Sequence, residues 1–351
     1  MKAMKTLALV LTLLLALSAC GVITSDDGPT QVVGNPAPAE EAANQPAQEE
    51  PKDDEQPVED ASLRVGALKG PTAMGLIRMI SDDGVNSYTL AGSADELTPK
   101  LIKGDLDIAC VPANLAAVLY NKTEGQIVTL AVNTLGVLYI VENGGETVQS
   151  MADLKGRTLV AAGKGSTPEY GLRYLLEQSG LDPDKDVTVD WKSEHAECVA
   201  ALAAGTADLA LLPQPFVTVA QEKLENLRTA LDLTAEWDAL DNGSAMITGV
   251  AVARRDLVEQ RPELVDVFLR VYAASVDWVN ANPKEAGELI ASNGIIESPA
   301  IAEKALPHCN IVCLTGEEMK EKLSGYLSVL AEANPQSVGG ALPAGDFYYG
   351  G

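Results

Sequence analysis

The segment VGALKGPT at residues 65–72 recurs in related form as VAAGKGST at residues 160–167. Each copy reads as an apolar strand, a Lys-Gly pair, a small residue and a threonine at the start of a helix. A second element follows each copy at a similar distance, GDLDIA at residues 104–109 and GTADLA at residues 205–210. Because two elements recur in the same order, the sequence predicts two lobes with the same internal arrangement.

A glycine turn between a strand and a helix exposes backbone N–H groups. The first N–H groups of a helix have no partner within it, and the helix dipole places partial positive charge behind them. Such a turn binds anions or polar acceptors, although a single copy is equally well an ordinary capped helix start. The duplication favours binding across a shared crevice. The candidate ligand-binding residues at the two turns are Lys69, Gly70, Pro71, Thr72 and Ala73 in the first copy and Ser166, Thr167, Pro168 and Tyr170 in the second.

Further turns are predicted at the same edges of the two lobes. A strand at 106–111 precedes Asn114, and a strand at 209–212 precedes Gln214 and Pro215 at the matching position. The two amides can each donate and accept hydrogen bonds to a ligand, and the alternative is that they only cap the helices that follow. The other candidate ligand-binding residues follow or end predicted strands: Thr134, Leu135, Gly136 and Trp191, the last with core packing as its alternative.

Strands alternate with helices along residues 62–212, which indicates crossover units in parallel sheets. A helix is expected over residues 72–82. The apolar segments 137–141 and 246–253 are predicted to cross between the lobes. We therefore expect an α/β fold with two similar lobes, each a mostly parallel sheet flanked by helices. Residues 62–141 with 251–351 form lobe 1 in this prediction, and residues 142–250 form lobe 2.

Residues 1–20 read as an export signal, because two lysines precede an apolar run too short to span a membrane. The run ends in Leu17-Ser18-Ala19-Cys20, which resembles the lipobox of bacterial lipoproteins. We expect cleavage before Cys20 and lipid attachment to its sulfur, and the alternative is an ordinary secretory signal cut near Ala19. The protein would then face outside the cytoplasm, in the periplasm or at the cell surface, anchored to the cell membrane by its lipid.

The composition and the net charge indicate which kinds of partner the protein can have. Residues 21–61 are acidic and rich in proline, and we expect them to be a disordered tether. The net charge of −25 argues against nucleic acid as a partner. It does not exclude an anionic ligand, because a helix end and a lysine act locally while net charge is screened beyond about 10 Å. We expect a monomer with a small-molecule solute as its ligand.

Catalytic and metal-binding patterns are not evident in the sequence. Neither His195 near Cys198 nor His308 beside Cys309 has the spacing of a zinc site, so no metal and no cofactor are expected. Whether the cysteines that follow Cys20 form a disulfide is not decided by the sequence. No nucleophile, base and orienting acid stand in a recognisable order, so we expect no catalytic residues and no enzyme activity.

The repeated lobe, the crossing strands and the lipobox together resemble the type 2 periplasmic-binding-protein fold. More narrowly, GDLDIA at 104–109 and LKGRT at 154–158 resemble substrate-binding lipoproteins of importers for nitrate, sulfonates, taurine and thiamine precursors. The resemblance covers residues 62–345. It implies a small polar or anionic organic solute held at the turns named above and delivered to an ABC permease with its ATPase. The alternatives are a ligand-sensing subunit for a signalling partner and an exported enzyme on the same fold.

Overall fold

A computed structural model describes residues 62–82 and 84–351. The predicted signal at 1–20, including Cys20, and the predicted tether at 21–61 lie outside the described residues. Within the described part, none of the helices combines the length and the apolarity that crossing a bilayer requires.

The strands of the described residues fall into two sheets. They are β1 (Arg64–Leu68), β2 (Ser87–Ala91), β3 (Ile108–Pro112), β4 (Ile127–Leu135), β5 (Leu138–Asn143), β6 (Thr158–Ala162), β7 (Thr188–Lys192), β8 (Leu209–Pro213), β9 (Leu227–Asp232), β10 (Ile247–Arg254) and β11 (Ile311–Leu314).

Helices connect and cover these strands. They are α1 (Pro71–Met74), α2 (Ile77–Asp82), α3 (Ala94–Lys103), α4 (Ala113–Lys122), α5 (Thr167–Gln178), α6 (His195–Ala203), α7 (Phe216–Lys223), α8 (Leu233–Asp238), α9 (Arg255–Gln260), α10 (Pro262–Ala281), α11 (Pro283–Ser292), α12 (Pro299–Ala305) and α13 (Gly316–Ala333). Short 3₁₀ turns occur at Met151–Leu154, Leu306–His308, Pro335–Val338 and Gly345–Phe347.

The two sheets share one topology. The first runs β11-β4-β10-β3-β1-β2 and the second runs β7-β6-β8-β5-β9. In each sheet the repeated strand, β1 or β6, pairs in parallel with the next strand along the chain and with the one after it. In each sheet a strand that comes from the other lobe, β10 or β5, runs antiparallel between its two neighbours. The structure thus confirms the α/β fold of two similar lobes. The sheets are mixed because β5, β10 and β11 run against the other strands.

The chain crosses between the sheets at two places. β4 ends at Leu135 and β5 begins at Leu138, so only two residues separate strands of different sheets. β5 pairs in the second sheet from Leu138, although residues 138–141 were expected in lobe 1. β10 pairs in the first sheet from Ile247, although residues 247–250 were expected in lobe 2. Each crossing strand therefore joins its new sheet a few residues before the expected boundary.

Local sequence explains how typical elements begin and end. α3 follows Ser93, whose backbone N–H donates to Glu96 Oε1 at 3.2 Å in a capping box. The helix ends at Gly104, which has a φ of 82° in the left-handed region that glycine adopts without strain. Gly104 opens the repeated GDLDIA element, so this glycine serves as the stop signal between α3 and β3.

Three apolar layers hold the sheets. One face of the first sheet is covered by α1, α2, α10, α11 and α12, and one face of the second by α6 and α7. The remaining faces of both sheets share a single core, which runs from α4 through α13 to α5 and α8. Tyr326 of α13 is fully buried in this shared core, and its ring centroid lies 5.6 Å from that of Trp237 in α8. The C-terminal helix therefore packs against both lobes.

Candidate functional site

The two sheets face each other along the edges where their parallel strands end. The short link from Leu135 to Leu138 places the carboxyl end of β4 beside the start of β5. Leu138 pairs with Pro213 at the end of β8, and Gly249 of β10 pairs with Pro112 at the end of β3. The turns that follow β1, β3, β6 and β8 consequently lie along these facing edges. Open α/β sheets bind ligands at this position, outside the carboxyl ends of their strands.

The first-lobe turn has the expected position but a shorter helix. The expected helix over residues 72–82 is interrupted at Gly75, so α1 spans only Pro71–Met74 before α2 begins. A Cβ at Gly75 would lie 2.7 Å from the Tyr272 hydroxyl, which indicates how closely α10 approaches at the break. Because α1 is one turn long, the helix-dipole argument made from the sequence does not apply to this turn.

Side chains of the first-lobe turn differ in exposure. Thr72 is buried, and its hydroxyl donates to the Leu68 carbonyl at 2.9 Å. Lys69 is exposed, whereas Gly70 and Pro71 are half-buried and Ala73 is fully buried. The polar groups of this turn that face outward are therefore the Lys69 ammonium group and backbone groups.

The second-lobe turn has internal partners for several polar groups. The Ser166 hydroxyl donates to the Gly163 carbonyl at 2.6 Å. The Gly165 backbone N–H donates to Glu169 Oε2 at 2.7 Å. A carboxylate of the protein itself therefore already accepts from one N–H group of the turn. Pro168 stands in the first turn of α5, where proline is tolerated. The two equivalent turns thus differ. An acidic side chain accepts a hydrogen bond from the second-lobe turn, whereas the first turn of α1 contains no acidic residue.

Three of the expected ligand-binding residues contact the C-terminal segment. Asn114 Nδ2 donates to the Ser337 carbonyl at 3.3 Å. The Tyr326 hydroxyl donates to Thr167 Oγ1 at 3.2 Å, and Asn334 Nδ2 donates to the Tyr170 hydroxyl at 3.0 Å. These polar atoms lie near the starts of α4 and α5, as expected, but their partners come from the far end of the chain.

Gln214 and Trp191 occupy the second lobe. Gln214 is buried, and its Oε1 accepts a hydrogen bond from the Thr218 hydroxyl at 2.9 Å in the helix that follows Pro215. Gln214 and Asn114 therefore have different kinds of partner despite their matching positions. Trp191 lies near the end of β7, half-buried against the shared core beside α5.

Polar side chains meet at the first crossing, where the end of β4 lies beside the start of β10. A Cβ at Gly249 would lie 2.5 Å from Asn133 Oδ1 and 3.4 Å from Thr134 Oγ1. A Cβ at Gly136 would lie 2.2 Å from Thr234 Oγ1, which belongs to the second lobe. Thr134 also donates its hydroxyl to Asn133 Oδ1 at 3.0 Å. We call this group, together with Thr248 next to Gly249 in β10, the junction cluster: Asn133, Thr134, Gly136, Thr234, Thr248 and Gly249.

Of the junction cluster, the sequence analysis named Thr134 and Gly136 as ligand-binding candidates, and the other four members were not among its candidates. Asn133 is a fully buried amide in a strand whose other polar side chains are two threonines, and that contrast was a usable signal. Thr234 and Thr248 stand in an ordinary helix start and an ordinary strand, so their sequence context gives no such signal. Asn310, also missed, donates Nδ2 to the Gly136 carbonyl at 2.6 Å and so fixes the first crossing.

Buried polar atoms without a hydrogen-bond partner concentrate at the facing edges. Leaving such an atom unpaired is costly, about 1–3 kcal/mol, so each one in a native fold needs an explanation. Among residues 62–82 and 84–351, most of these unpaired atoms belong to the junction cluster or to the first residue of α6. Two lie elsewhere in lobe 1. At the facing edges they are Asn133 Nδ2, Thr234 Oγ1, Thr248 Oγ1 and His195 Nδ1, and elsewhere Thr129 Oγ1 and the Tyr272 hydroxyl.

The charge of the facing edges is modest. Burial lowers the pKa of the His195 imidazole, whose ring centroid lies 5.2 Å from that of Phe216, so the ring is neutral at pH 7. The junction cluster consists of neutral amide and hydroxyl groups with backbone at its glycines. Amide and hydroxyl groups of this kind can form hydrogen bonds with the polar atoms of a ligand and do not require a paired charge.

The cysteines of the described residues are free thiols. Burial raises the pKa of Cys110 and of Cys309 to about 12, and that of Cys198 and of Cys313 to about 11. These thiols are protonated at neutral pH, and a protonated thiol is a poor nucleophile and a poor metal ligand.

Comparison with known proteins places the chain in a family. The model of a family described as ABC transporter, phosphonate, periplasmic substrate-binding protein matches residues 87–294, which include both crossing strands and the whole second sheet. The chain belongs to this family. The resemblance to importer binding proteins is thereby confirmed, and the solute that the family's description names is phosphonate.

Solved structures agree with this assignment. An ABC transporter structure from Parabacteroides distasonis is 26% identical with a TM-score of 0.70, covering 82% of this chain and 99% of its own. The aliphatic sulphonate binding protein SsuA from Escherichia coli is 18% identical with a TM-score of 0.65, covering 80% and 90%. The nitrate-binding protein NrtA from Synechocystis PCC 6803 is 16% identical with a TM-score of 0.57, covering 82% and 83%. The latter two show the shared fold.

A curated relative matches over a shorter range. A Brucella abortus protein, named only as a binding protein, is 26% identical over 221 residues. The match covers 61% of this chain and 65% of that relative's length. These family members and structures are named for binding or transport.

Proposed function

We propose that the protein is the solute-binding component of an ABC importer and works outside the cytoplasm. In this proposal it takes up a small polar or anionic organic solute between its lobes and delivers it to a permease driven by an ATPase. The observation that carries the proposal is the set of unpaired buried polar atoms at the facing edges. A solute with oxygen or nitrogen atoms would satisfy them where the family binds its substrates.

Lobe motion would accompany binding. Each crossing strand pairs in one sheet while the chain before it comes from the other, so the links at the crossings can act as hinges between the two lobes. Solute atoms bonded to Asn133 and Thr248 of one lobe and Thr234 of the other would favour the closed arrangement. A loaded, closed protein then presents a surface that the permease distinguishes from the empty one.

Membrane anchoring is the second part of the proposal. The LSAC sequence at residues 17–20 supports lipid attachment to Cys20, and the family description supports a location outside the cytoplasm. Metabolic labelling with an alkyne fatty acid tests this, with Cys20→Ser as the variant. Label on the natural chain and none on the variant is expected, whereas equal label on both would contradict anchoring at Cys20.

We further infer that the protein acts as a monomer and binds its solute without chemical change. Light scattering coupled to size-exclusion chromatography should give the mass of a single chain. Solute recovered after incubation should be unaltered by mass spectrometry. A turned-over solute would favour the exported-enzyme alternative, and genetic linkage to a kinase or cyclase in place of a permease would favour the sensing alternative.

Paired threonine variants test the solute site itself. Thr248→Val and Thr129→Val each remove one unpaired buried hydroxyl at nearly constant shape, but only Thr248 lies at a facing edge. Calorimetric titration would use phosphonates, sulfonates, nitrate, carboxylates and thiamine precursors. Losing one hydrogen bond to the solute should weaken binding by about 1 kcal/mol, or roughly fivefold, in Thr248→Val.

The control defines the outcome. Thr129→Val should keep the affinity of the natural chain, because its hydroxyl lies in the middle of β4. Equal affinities for both variants would remove Thr248 from the site. No binding of any solute by the well-folded natural chain would contradict the proposed function as a whole.

A further inference from the structure

A turn near the C-terminus is bound to the first lobe. The segment Asn334–Val338, which we call the clasp turn, follows α13 directly. Two asparagines of α4 hold it: Asn114 Nδ2 donates to the Ser337 carbonyl at 3.3 Å, and Asn121 Nδ2 donates to the Val338 carbonyl at 2.8 Å. The Ser337 hydroxyl donates back to the Leu330 carbonyl at 3.0 Å, which ties the turn to α13.

The same segment is hydrogen-bonded to the second lobe. Asn334 Nδ2 donates to the Tyr170 hydroxyl at 3.0 Å. One turn earlier in α5, Thr167 Oγ1 accepts from the hydroxyl of Tyr326 in α13 at 3.2 Å. These bonds join α13 and the clasp turn to α5, the helix that begins at the repeated turn of the second lobe. They do not pass through either crossing strand.

We propose that α13 and the clasp turn form a third connection between the lobes, separate from the two crossing strands, which holds the lobes in their present relative orientation. Contacts made in one arrangement stabilise it against every arrangement in which they are broken. Any rotation of the lobes about the crossing strands must therefore break or carry along the bonds at Tyr170 and Thr167. These two residues act as positioning residues whether or not solute touches them.

The burial of these contacts indicates that the connection is substantial. Tyr326 is fully buried, Tyr170 is 9% exposed and Thr167 is 7% exposed. Hydrogen bonds shielded from water are not exchanged freely for bonds to solvent, so breaking them during lobe rotation is unfavourable. The ion pair of Lys304 in α12 with Glu222 in α7 also joins the lobes, but both side chains are largely exposed, so it contributes little.

Two tyrosines on one helix allow a matched test. Tyr170→Phe removes the hydroxyl that accepts from Asn334. Tyr174→Phe removes the same atom one helical turn later, where it accepts from Asn242 Nδ2 at 3.0 Å and does not contact the clasp turn. Tyr326→Phe is a second test variant, because it breaks the other bond of the connection at constant shape. Far-ultraviolet circular dichroism of each variant verifies that it is folded.

Single-molecule energy transfer on the full chain without solute measures the lobe orientation. Dyes attached through a keto amino acid at Lys103 in α3 and at Glu177 in α5 leave the cysteines untouched, and both positions are exposed. We expect Tyr170→Phe and Tyr326→Phe each to raise the fraction of molecules outside the main distance peak by roughly two- to tenfold, the effect of one hydrogen bond. Tyr174→Phe should keep the distribution of the natural chain.

The contrary results are distinct. Unchanged distributions for both Tyr170→Phe and Tyr326→Phe would overturn the proposal, as would an equal change in Tyr174→Phe. Adding Asn334→Asp to Tyr170→Phe should produce no further shift, because Asp keeps the oxygen that accepts from the Gln336 N–H and the bond to Tyr170 is already lost. None of these measurements uses a solute, so their outcome is independent of the proposed transport function.

Discussion

At the scale of single residues, the proposed solute site depends on polar atoms that the fold leaves without partners. Asn133 is the central case, since its Oδ1 accepts from Thr134 while its Nδ2 has no oxygen or nitrogen acceptor among the described residues and only the weakly accepting Cys110 sulfur beside it. An amide placed in this way is half satisfied, and a ligand acceptor would complete it. The sequence analysis named its neighbour Thr134 as a ligand-binding candidate but did not include Asn133 among those candidates.

A second buried polar group, Glu142, serves stability. It lies at the end of β5 away from the facing edges, and its side chain is 3% exposed and paired with Arg228. Burial alone would raise its pKa, but hydrogen bonds from Thr147, Val148 and Arg228 prevail and lower it from 4.5 to about 2. The folded protein therefore favours the ionised carboxylate more than the unfolded chain does.

The sign of this shift gives a prediction. Because the pKa is lower in the folded state, the stabilisation by Glu142 is complete above the ordinary value of 4.5 and is lost as pH falls towards 2. Glu142→Gln should lower the free energy of unfolding by about 3 kcal/mol at pH 7, since it leaves Arg228 without its charged partner. Urea denaturation at pH 7 and at pH 3 measures this free energy.

The difference between Glu142→Gln and the natural chain should shrink at pH 3. Glu146→Gln, a nearby exposed position, is the control and should leave the free energy of unfolding within about 0.5 kcal/mol at both pH values. A deficit in Glu142→Gln that does not depend on pH would show that the lost packing, and not the charge, is responsible.

At the scale of elements, the repeated segments predicted the architecture well. The apolar parts of VGALKGPT and VAAGKGST lie in β1 and β6. These two strands occupy equivalent places in sheets of equivalent order. The helix after β1 was less predictable. Its interruption at Gly75 coincides with close approach of Tyr272 and Ile311, residues far along the chain whose proximity no local pattern reports.

The first crossing between the sheets gives a steric prediction. Gly136 has room for no side chain, because a Cβ there would lie 2.2 Å from Thr234 Oγ1 and 3.2 Å from Met246 Cβ. Gly136→Ala should therefore lower the free energy of unfolding by about 1–3 kcal/mol, the usual penalty of overpacking. Thermal and urea denaturation measure the loss.

A rescue variant tests the cause. Thr234→Ala removes the hydroxyl that the new methyl group would meet, so Gly136→Ala with Thr234→Ala should regain part of the lost stability. Gly84→Ala, at a position with no atoms near its Cβ, should be nearly neutral. If the double variant is as unstable as the sum of the single ones, the clash with Thr234 is not the reason for the glycine.

At the scale of the whole molecule, sequence and structure differ most in long-range contacts. Asn114 was expected at the site, and it does begin α4 at a facing edge, but its amide bonds to Ser337, 223 residues later. Thr167 meets Tyr326 across 159 residues. Patterns read within a window of the sequence place elements on a sheet edge, but they cannot identify partners from another part of the chain.

Taken as a whole, the protein is two lobes with a shared core and facing edges. The crossing strands and α13 join these lobes, and the proposed solute site would take groups from both sides of the junction. Binding should therefore order both lobes together. A site confined to one lobe would not need the duplicated sheet.

Hydrogen–deuterium exchange tests this claim most directly. It would be measured on the full chain with and without the solute that gives the highest affinity in the titrations. We predict slower exchange on binding at the turns 69–73 and 163–167 and at the junction residues 133–136 and 246–249, all in the same sample. Protection restricted to one lobe, or located away from both facing edges, would contradict the account.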